Sequence, residues 1–332
     1  MQEVIFLKEL VIGTRGSDLA LTQTKWIKDK IKKIHPETNV KIQPIKTTGD
    51  KIKDKPLFQK GGKGLFIKEI EIALLKREID IAVHSLKDIP GEIKEEFELA
   101  CYPCRENPLD VLISPANLTL SELPENAVLG TGSLRRQNQL KNFRPDFKFV
   151  HLRGNVETRI KKMKQKQLDG IILAAAGLHR LGLEDIVTQY ISADISIPAV
   201  GQGTLGIEIL RERRNLKEFL QPLNHFNTGL QSKAERQFLK TVSGSCNLPL
   251  GAYAEIIENN ENSIIIEIKA FLSNTDGDNK IIENYRHTFS LDKPDNIINE
   301  KIKDMGQKLA EKVLNSGGSN ILTSLEEEEN HE

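Results

Sequence analysis

Short β-branched and apolar runs alternate with amphipathic helical segments up to about residue 210. This alternation predicts α/β domains with largely parallel sheets, because parallel strands need a crossover connection between them. The first series comprises strands at Leu10–Thr14, Val40–Thr47, Ile79–His84 and Phe97–Tyr102, with helices near Asp18–Ile34 and Leu65–Arg77. After a polar break at Pro103–Pro108, the second series comprises strands at Val111–Ser114, Val128–Gly130, Phe147–Leu152 and Gly170–Ala174, with helices near Ser133–Asn142 and Val156–Gln165. A further break at Ser196–Gly201 precedes one more strand at Leu205–Leu210.

The remaining residues predict a separate α+β unit. A helix near Leu230–Val242 leads into strands at Gly251–Ile257, Ser263–Leu272 and Lys280–Phe289. A final helix is expected near Asp295–Leu314 with its end at Gly317-Gly318, followed by a solvated acidic tail around Glu326–Glu329. Because a single core rarely grows past roughly 250 residues, the 332-residue chain is expected to form two or three domains.

Composition excludes several classes of protein. No stretch approaches the roughly 20 consecutive apolar residues of a membrane span, so no membrane association is expected. The first residues lack a basic segment followed by a long apolar run, so we expect no secretory signal. Three cysteines, Cys101, Cys104 and Cys246, cannot form a disulfide scaffold. A cytoplasmic location is the simplest expectation.

Arginines lie where two predicted strands turn into helices. In the first turn, Thr131–Ser133 is followed by Arg135 and Arg136; in the second, Arg153 lies in the turn and Arg159 in the helix. Positive charge is locally unfavourable at the positive end of a helix dipole. A bound anion would offset this cost, and guanidinium groups favour carboxylates or phosphates. The alternative is that these arginines are simply solvated.

A third turn repeats the pattern, and it lies near a candidate acid in the sheet. Arg15 follows the strand at Leu10–Thr14, and the strand at Ile79–His84 leads to Lys87 and Asp88 at its carboxyl end, where open α/β sheets bind ligands. Asp88 is either a structural ion-pair partner or a group that stabilises positive charge in a substrate. His84 is expected to be a packed strand residue rather than a base.

Three other motifs have ordinary interpretations. Gly201–Gly206 matches the dinucleotide-binding pattern, but it neither follows a strand nor opens a helix, so we predict a crossing between domains. Cys101 and Cys104 are predicted to be ordinary thiols, because no second cysteine pair completes a zinc site. Cys246 lies in a loop bounded by glycine and proline, which could present a thiolate as a nucleophile or a covalent tether.

Eight segments in register resemble the porphobilinogen deaminase family, also called hydroxymethylbilane synthase, from about Val11 to Gly318. They are Gly13–Ser17, Gly61–Phe66, Ala82–Pro90, Gly130–Arg136, Leu152–Val156, Ala176–Leu181, Pro198–Gly203 and the loop around Cys246. The sequence departs from the family at two positions. Gly132 stands where a second hydroxyl residue is common, and Ser245 stands where glycine is frequent before the cysteine.

The resemblance implies an α/β fold class with two type II periplasmic-binding-protein-like α/β domains and a small C-terminal α+β domain with a three-stranded sheet. The expected boundaries are 1–103 plus 204–224 for domain 1, 108–198 for domain 2 and 226–320 for domain 3. The acidic tail at 321–332 is expected to be disordered.

The resemblance also implies an activity, the head-to-tail joining of four porphobilinogen molecules into linear hydroxymethylbilane for porphyrin and heme biosynthesis. One ammonia is lost at each step, which leaves a positively charged azafulvene. In this family the oligopyrrole grows on a dipyrromethane cofactor. The resemblance implies that a thioether bond attaches this cofactor to Cys246. The growing chain carries an acetate and a propionate on each ring, so many arginines suit it.

Motif matching implies a role for each candidate site residue. Asp88 is expected to be catalytic. The expected cofactor-binding residues are Cys246, Lys87, Asp88, Thr131, Ser133, Arg135, Arg136 and Arg180. The expected substrate-binding residues are Arg15, Ser17, Arg153 and Arg159, and no metal is expected.

Two alternatives come from other functional classes. The first is a non-catalytic anion-binding protein or sensor on the same two-domain scaffold. The second is nucleic-acid binding by the basic stretch from Gly130 to Arg180, which has 12 basic and 3 acidic residues. The 5% aromatic content and the arginines at helix starts favour discrete anions instead. Porphobilinogen is therefore the expected partner, with no nucleic acid, and the chain is expected to be a monomer.

Overall fold

A computed structural model describes residues 7–51, 66–242 and 248–331. Its strands are β1 Glu9–Arg15, β2 Asn39–Ile45, β3 Ile81–Ser85, β4 Phe97–Cys101, β5 Asp110–Ile113, β6 Val128–Gly130, β7 Lys148–Val150, β8 Gly170–Ala174, β9 Gln189–Ile191, β10 Leu205–Leu210, β11 Leu250–Asn259, β12 Ser263–Ser273 and β13 Lys280–Ser290. Its α-helices are α1 Asp18–Ile34, α2 Thr48–Lys51, α3 Lys68–Leu75, α4 Leu134–Phe143, α5 Val156–Gln165, α6 Ala175–Arg180, α7 Arg214–Leu220, α8 Phe226–Thr241, α9 Asp295–Val313 and α10 Ser319–His331. Most of these elements lie within a few residues of their predicted bounds.

Two five-stranded sheets share one strand order. The first sheet runs β2-β1-β3-β10-β4 and the second runs β7-β6-β8-β5-β9. In each sheet the first three strands are parallel, and the fourth strand, β10 or β5, is antiparallel to both of its neighbours. This fourth strand comes from a chain segment that has just crossed from the other sheet. The mixed α/β fold class with two related domains is therefore confirmed.

Local sequence explains why the helices begin at the predicted turns. Ser17 caps α1, because its hydroxyl accepts a hydrogen bond from the backbone N–H of Ala20 at 3.4 Å. Asn155 caps α5 in the same way, accepting from the backbone N–H of Thr158 at 2.8 Å. On α1, Ile27 and Ile31 are fully buried one turn apart and pack against the first sheet.

The two crossing segments touch each other between the domains, and this contact explains the glycine motif. The backbone N–H of Glu106, in the first crossing, donates to the carbonyl of Gly203, in the second, at 3.1 Å. Gly203 has a φ of +87°, and a Cβ there would lie 2.4 Å from the carbonyl oxygen of Glu106. Only glycine fits this approach. The prediction of a crossing at Gly201–Gly206, rather than a dinucleotide site, is confirmed.

The third unit is the predicted three-stranded antiparallel sheet, β11-β12-β13, which is covered by α8 and α9. It is joined to both crossings through Glu235 on α8, a fully buried residue. The Glu235 carboxylate accepts from the guanidinium of Arg105 at 2.6 Å, from the backbone N–H of Gly201 at 2.7 Å and from that of Ala254 at 2.9 Å. One carboxylate thus fixes both crossings against the third domain.

The end of the chain differs from the prediction. We expected a disordered acidic tail at 321–332 and a helix end at Gly317-Gly318. Instead the helical path bends at Gly317, whose φ is +107°, and continues as α10. Ile321 and Leu325, one turn apart on α10, are 8% and 6% exposed and join the core of the third domain. Apolar spacing on one face therefore outweighs the acidic composition of the other.

Replacing Leu325 by alanine tests the packing of α10. Removing its buried side chain should lower the free energy of unfolding by about 2–5 kcal/mol, because the core keeps a cavity. Chemical denaturation measures the change, with Ser324→Ala on the exposed face of α10 as the matched control. Equal stabilities for the two variants would show that α10 is not packed.

Candidate functional site

The predicted site residues follow the carboxyl ends of parallel strands in both sheets. Arg15 ends β1. A 3₁₀ turn at Leu86–Asp88 follows β3. Thr131 and Arg153 follow β6 and β7, and α6, which follows β8, ends at Arg180. In open α/β sheets this edge is where ligands bind.

A buried carboxylate joins two of the predicted cofactor-binding arginines. Asp110, the first residue of β5, is fully buried. Its Oδ1 accepts from Nε and Nη2 of Arg136 at 2.9 and 2.8 Å. Its Oδ2 accepts from Nη2 of Arg135 at 2.9 Å and from the hydroxyl of Ser196 at 2.9 Å. Burial alone would raise the pKa of Asp110, but the two guanidinium groups hold it well below its usual range.

Gln202 connects this cluster to the first domain. Its side-chain amide donates to Oδ1 of Asp110 at 2.9 Å and to the carbonyl of Pro108 at 2.7 Å. Its side-chain oxygen accepts from Nη2 of Arg136 at 3.5 Å and from Nζ of Lys87 at 3.4 Å. Lys87 follows β3 in the first sheet, whereas Arg136 lies on α4 beside the second. Four of these residues form what we call the cation cluster: Lys87, Asp110, Arg135 and Arg136.

The cation cluster carries more positive than negative charge. The single carboxylate of Asp110 faces the guanidinium groups of Arg135 and Arg136. When Lys87 is protonated, its ammonium group adds a third positive charge. Burial, together with the nearby Arg136 and Arg135, lowers the pKa of Lys87 to about 8, although Asp88 and Asp110 act in the opposite direction. A surplus of positive charge in a poorly hydrated place is a strong attractor for a carboxylate.

Asp88 lies beside Arg15, the predicted substrate-binding arginine at the end of β1. Its carboxylate is 3.7 Å from Nη1 of Arg15, and its side chain is 33% exposed. The guanidinium of Arg15 stacks over the ring of Phe66, with 4.1 Å from Cζ to the ring centroid. Asp88 therefore combines a partly exposed carboxylate with a cation on one side.

Arg153 and Arg159 lie on the same side of the second domain as the cation cluster. Nε of Arg159 donates to the carbonyl of Gly154 at 2.8 Å, which folds its side chain back towards the turn. Burial lowers the pKa of Arg159 to about 10, and the nearby charges of Arg136 and Arg153 add to the effect. Burial also lowers the pKa of Arg153. Burial thus opposes the charged form of both arginines, and neighbouring guanidinium groups add to this effect on the pKa of Arg159.

Arg180 joins the site through the second crossing. Its Nη2 donates to the carbonyl of Gly203 at 2.6 Å. Burial lowers the pKa of Arg180 to about 10, although the carboxylate of Glu106 opposes the shift. Glu106 in turn contacts Nδ1 of His179 at 3.0 Å. Arg180 is thus held at the point where the two crossings meet.

The three predicted hydroxyl residues lie at the turns but differ in their contacts. Thr131 is buried, and its hydroxyl accepts from the backbone N–H of Ser133 at 3.3 Å. Ser133 directly precedes α4, its side chain makes no capping hydrogen bond, and the residue is half-buried. The hydroxyl of Ser17 caps α1, as described above. Ser17 therefore has a structural contact of its own besides its predicted role.

Cys246, like Ser245 and Gly61–Gly64, lies outside the described residues. The residues that flank its loop lie next to the site. Before the loop, α8 packs against Gly91, where a Cβ would lie 3.1 Å from the backbone nitrogen of Lys240. After the loop, a Cβ on Gly251 would lie 3.2 Å from Cδ of Arg135. The described residues before this stretch therefore lie against the segment that follows Asp88, and those after it lie against Arg135 of the cation cluster.

The remaining candidate residues have structural surroundings. His84 is buried, and its Nε2 lies 3.1 Å from Oε2 of Glu208, which confirms a packed strand histidine. Cys101 is buried, and burial raises the pKa of its thiol to about 12. Cys104 is exposed, and both of these cysteines are free. Among the described residues no group of three or more His, Cys, Asp or Glu side chains could hold a metal ion.

Sequence reasoning missed the two residues that organise the cation cluster, Asp110 and Gln202. A signal for Asp110 was present, because it begins an otherwise apolar strand, Asp110–Ile113, where a charged residue needs a partner. Gln202 gave no comparable signal, since its partners lie 66 to 115 residues away along the chain.

The chain is similar to known proteins over most of its length. A family model described as "Porphobilinogen deaminase, dipyromethane cofactor binding domain" matches residues 10–218, and one described as "Porphobilinogen deaminase, C-terminal domain" matches residues 230–315. A porphobilinogen deaminase of Carboxydothermus hydrogenoformans is 43% identical over 323 residues, which cover 97% of this chain and 99% of that protein. One of Shouchella clausii is 49% identical over 253 residues, which cover 76% of this chain and 81% of that protein.

Similar solved structures include the probable amino-acid ABC transporter extracellular-binding protein ytmK of Bacillus subtilis. It is 11% identical, with a TM-score of 0.39, and the match covers 65% of this chain and 92% of that one. In the described part of the chain, no helix has the length and apolar character needed to cross a bilayer.

The Lys87 ammonium should titrate near pH 8 in protein without a bound anion. Its folded pKa lies below its unfolded value of 10.5, so the folded protein loses this charge first as pH rises, and attraction for anions weakens above pH 8. Carbon-13 NMR of the lysine Cε groups measures the midpoint, with the Lys87 signal assigned by its disappearance in Lys87→Met. A midpoint near the ordinary lysine value, about 10.4, would contradict the description of the cation cluster.

Proposed function

The chain belongs to the porphobilinogen deaminase family, and we propose that its cation cluster and Asp88 perform the two central tasks of the family's reaction. The activity is that of hydroxymethylbilane synthase, a transferase of tetrapyrrole biosynthesis, with porphobilinogen as substrate and a dipyrromethane cofactor. The family match does not favour a non-catalytic binding protein on the same scaffold.

The surplus positive charge of the cation cluster is the observation that carries the assignment of the cofactor site. Dipyrromethane bears carboxylate side chains, and Arg135, Arg136 and Lys87 outnumber the single buried carboxylate of Asp110. The residues present therefore fit the cofactor. A charge-assisted hydrogen bond contributes about 1.5–3 kcal/mol, so a few such contacts suffice to hold it.

The cofactor would be held by residues from all three parts of the chain. Arg180 and the hydroxyls of Thr131 and Ser133 complete the set that binds its side chains. Cys246 is the attachment point. The contact of Lys240 with Gly91 before its loop and the contact of Gly251 with Arg135 after it support this role. When bound, dipyrromethane supplies the chain end to which substrate units are joined.

The proposed substrate arginines lie at, or shortly after, the carboxyl ends of parallel strands. Arg15, Arg153 and Arg159, with Ser17, receive the acetate and propionate of incoming porphobilinogen. Arg15 is 3.7 Å from Asp88, so a carboxylate on Arg15 brings the substrate ring close to the acid. Binding at several charged points fixes the orientation of a ring, which lowers the entropy lost on the way to reaction.

Asp88 acts on the charge that develops during the reaction. Departure of ammonia leaves positive charge on the substrate pyrrole, and an ionised carboxylate next to the pyrrole N–H stabilises it. The carboxylate accepts a hydrogen bond from that N–H and assists proton transfer. Its partial exposure leaves it able to contact a ligand.

The proposal also includes the domain boundaries of the protein and its location in the cell. The domains run from 1–103 with 204–224, through 108–198, to a third unit from 226 that includes α10, an assignment supported by the membership of each sheet. The protein acts as a cytoplasmic monomer and binds no nucleic acid.

Asp88→Asn tests the catalytic role. The amide keeps the shape of the side chain but not its charge, so turnover should fall at least about 100-fold while the dipyrromethane adduct remains. Ammonia release measures turnover and intact mass measures the adduct. Asp278→Asn, on an exposed turn of the third domain, is the matched control and should behave as the unaltered protein.

Cys246→Ser tests the attachment of the cofactor independently of the catalytic role of Asp88. The serine variant should show the bare polypeptide mass, whereas the unaltered protein carries the adduct. Bare mass in the unaltered protein would refute the cofactor assignment. Substantial ammonia release by a loaded Asp88→Asn protein would refute the role of Asp88 alone.

A further inference from the structure

Asp110 is a buried charged residue to which the reaction gives no task. It does not face the cleft, since its side chain is fully buried. Both of its oxygens are occupied by two donors or more, from Arg136 and Gln202 on Oδ1 and from Arg135 and Ser196 on Oδ2. A buried carboxylate with this many charged partners fixes the positions of all of them.

The partners of Asp110 come from separate elements. Arg135 and Arg136 lie in the first turn of α4, whereas Ser196 lies just before the second crossing and Gln202 lies in it. Asp110 itself begins β5, directly after the first crossing. The carboxylate therefore links the predicted cofactor arginines to both crossings between the domains.

The orientation of each guanidinium follows from these contacts. Arg136 is held by Asp110 through Nε and Nη2, and its Nη1 donates to the carbonyl of Ile172 at 3.1 Å. Arg135 is held by Asp110 through Nη2, and its Nη1 donates to the carbonyl of Ile197 at 2.5 Å. Two adjacent side chains with many rotamers are thereby reduced to one arrangement before any ligand arrives.

Asp110 also sets how much charge the cluster offers. Two guanidinium groups buried side by side without a counter-charge would repel each other and resist burial. A second carboxylate would cancel their attraction for a ligand. One carboxylate leaves one surplus charge on the arginine pair, to which Lys87 adds its own when it is protonated.

We propose that Asp110 is a positioning residue for dipyrromethane, holding Arg135 and Arg136 in a binding arrangement while leaving part of their charge for the cofactor carboxylates. This inference rests on the proposed cofactor site and adds to it a residue that does not touch the cofactor. It acts through the two arginines.

Asp110→Asn removes the charge and keeps the shape. The amide cannot accept at both positions, so one arginine loses its partner, and the ratio of holo to cofactor-free protein should fall by about tenfold. The Lys87 midpoint should also fall below about 8, because Asp110 raises that pKa. Intact mass and the lysine NMR titration are the two measurements, the latter on cofactor-free Cys246→Ser protein. The groups facing Lys87 are Asp88, Asp110, Arg135, Arg136 and Gln202.

Gln202→Glu changes the charge in the opposite direction. The added carboxylate lies beside the same cations, cancels their surplus and should also reduce loading, but it should raise the Lys87 midpoint. A merely structural disturbance would not move the midpoint in opposite directions in the two variants. If Asp110→Asn does not fold, the cofactor loading and the Lys87 midpoint of Gln202→Glu test the proposal alone.

Asp146→Asn is the matched control. Asp146 also pairs with an arginine of the second domain, Arg144, at 2.6 Å, but is 27% exposed. The Asp146→Asn protein should carry as much dipyrromethane as the unaltered protein, and its Lys87 midpoint should be unchanged. Full loading and an unchanged midpoint in folded Asp110→Asn, or in Gln202→Glu, would overturn the proposal. An unaltered protein without any adduct would instead refute the proposed function.

Discussion

Two guanidinium groups placed side by side in a poorly hydrated interior need a counter-charge, and Asp110 supplies a single one. Burying charged groups costs several kcal/mol each unless they are paired and hydrogen-bonded. Asp110 meets this requirement for Arg135 and Arg136 together, and it does so at the junction of the two α/β domains. Through Arg135, Arg136 and Gln202, this contact also joins the first turn of α4 to the second crossing.

The fold brings the other charged residues to the same place by a simple topological route. Both five-stranded sheets use the same order of strands, so the carboxyl ends of their parallel strands carry equivalent turns. Arg15 and Asp88 come from the first sheet, and Arg153 comes from the second. The third domain then fixes both crossings through Glu235, which accepts hydrogen bonds from Arg105 and from the backbone of Gly201. An acid and many cations can therefore act on one ligand.

Much of the fold and the composition of the candidate site could be predicted from the sequence. Strand-to-helix turns are local features, and a cap such as Ser17 or Asn155 marks the start of a helix through contacts three residues away. Asp110 pairs with Arg135 and Arg136, which lie 25 and 26 positions further along the chain, and with Gln202, which lies 92 positions further along. No local sequence pattern encodes contacts over such separations. The end of the chain was misread for a different reason. Four consecutive glutamates suggested a solvated tail, although Ile321 and Leu325 already had helical spacing.

A crystal structure of the protein with its cofactor attached tests the central claim most directly. The account predicts that the acetate and propionate groups lie within hydrogen-bonding distance of Arg135, Arg136, Lys87 and Arg180, that Asp88 faces the pyrrole nitrogens, and that Asp110 still bridges the two arginines. Cofactor carboxylates that point into solvent, with the cation cluster in contact with no ligand, would contradict it.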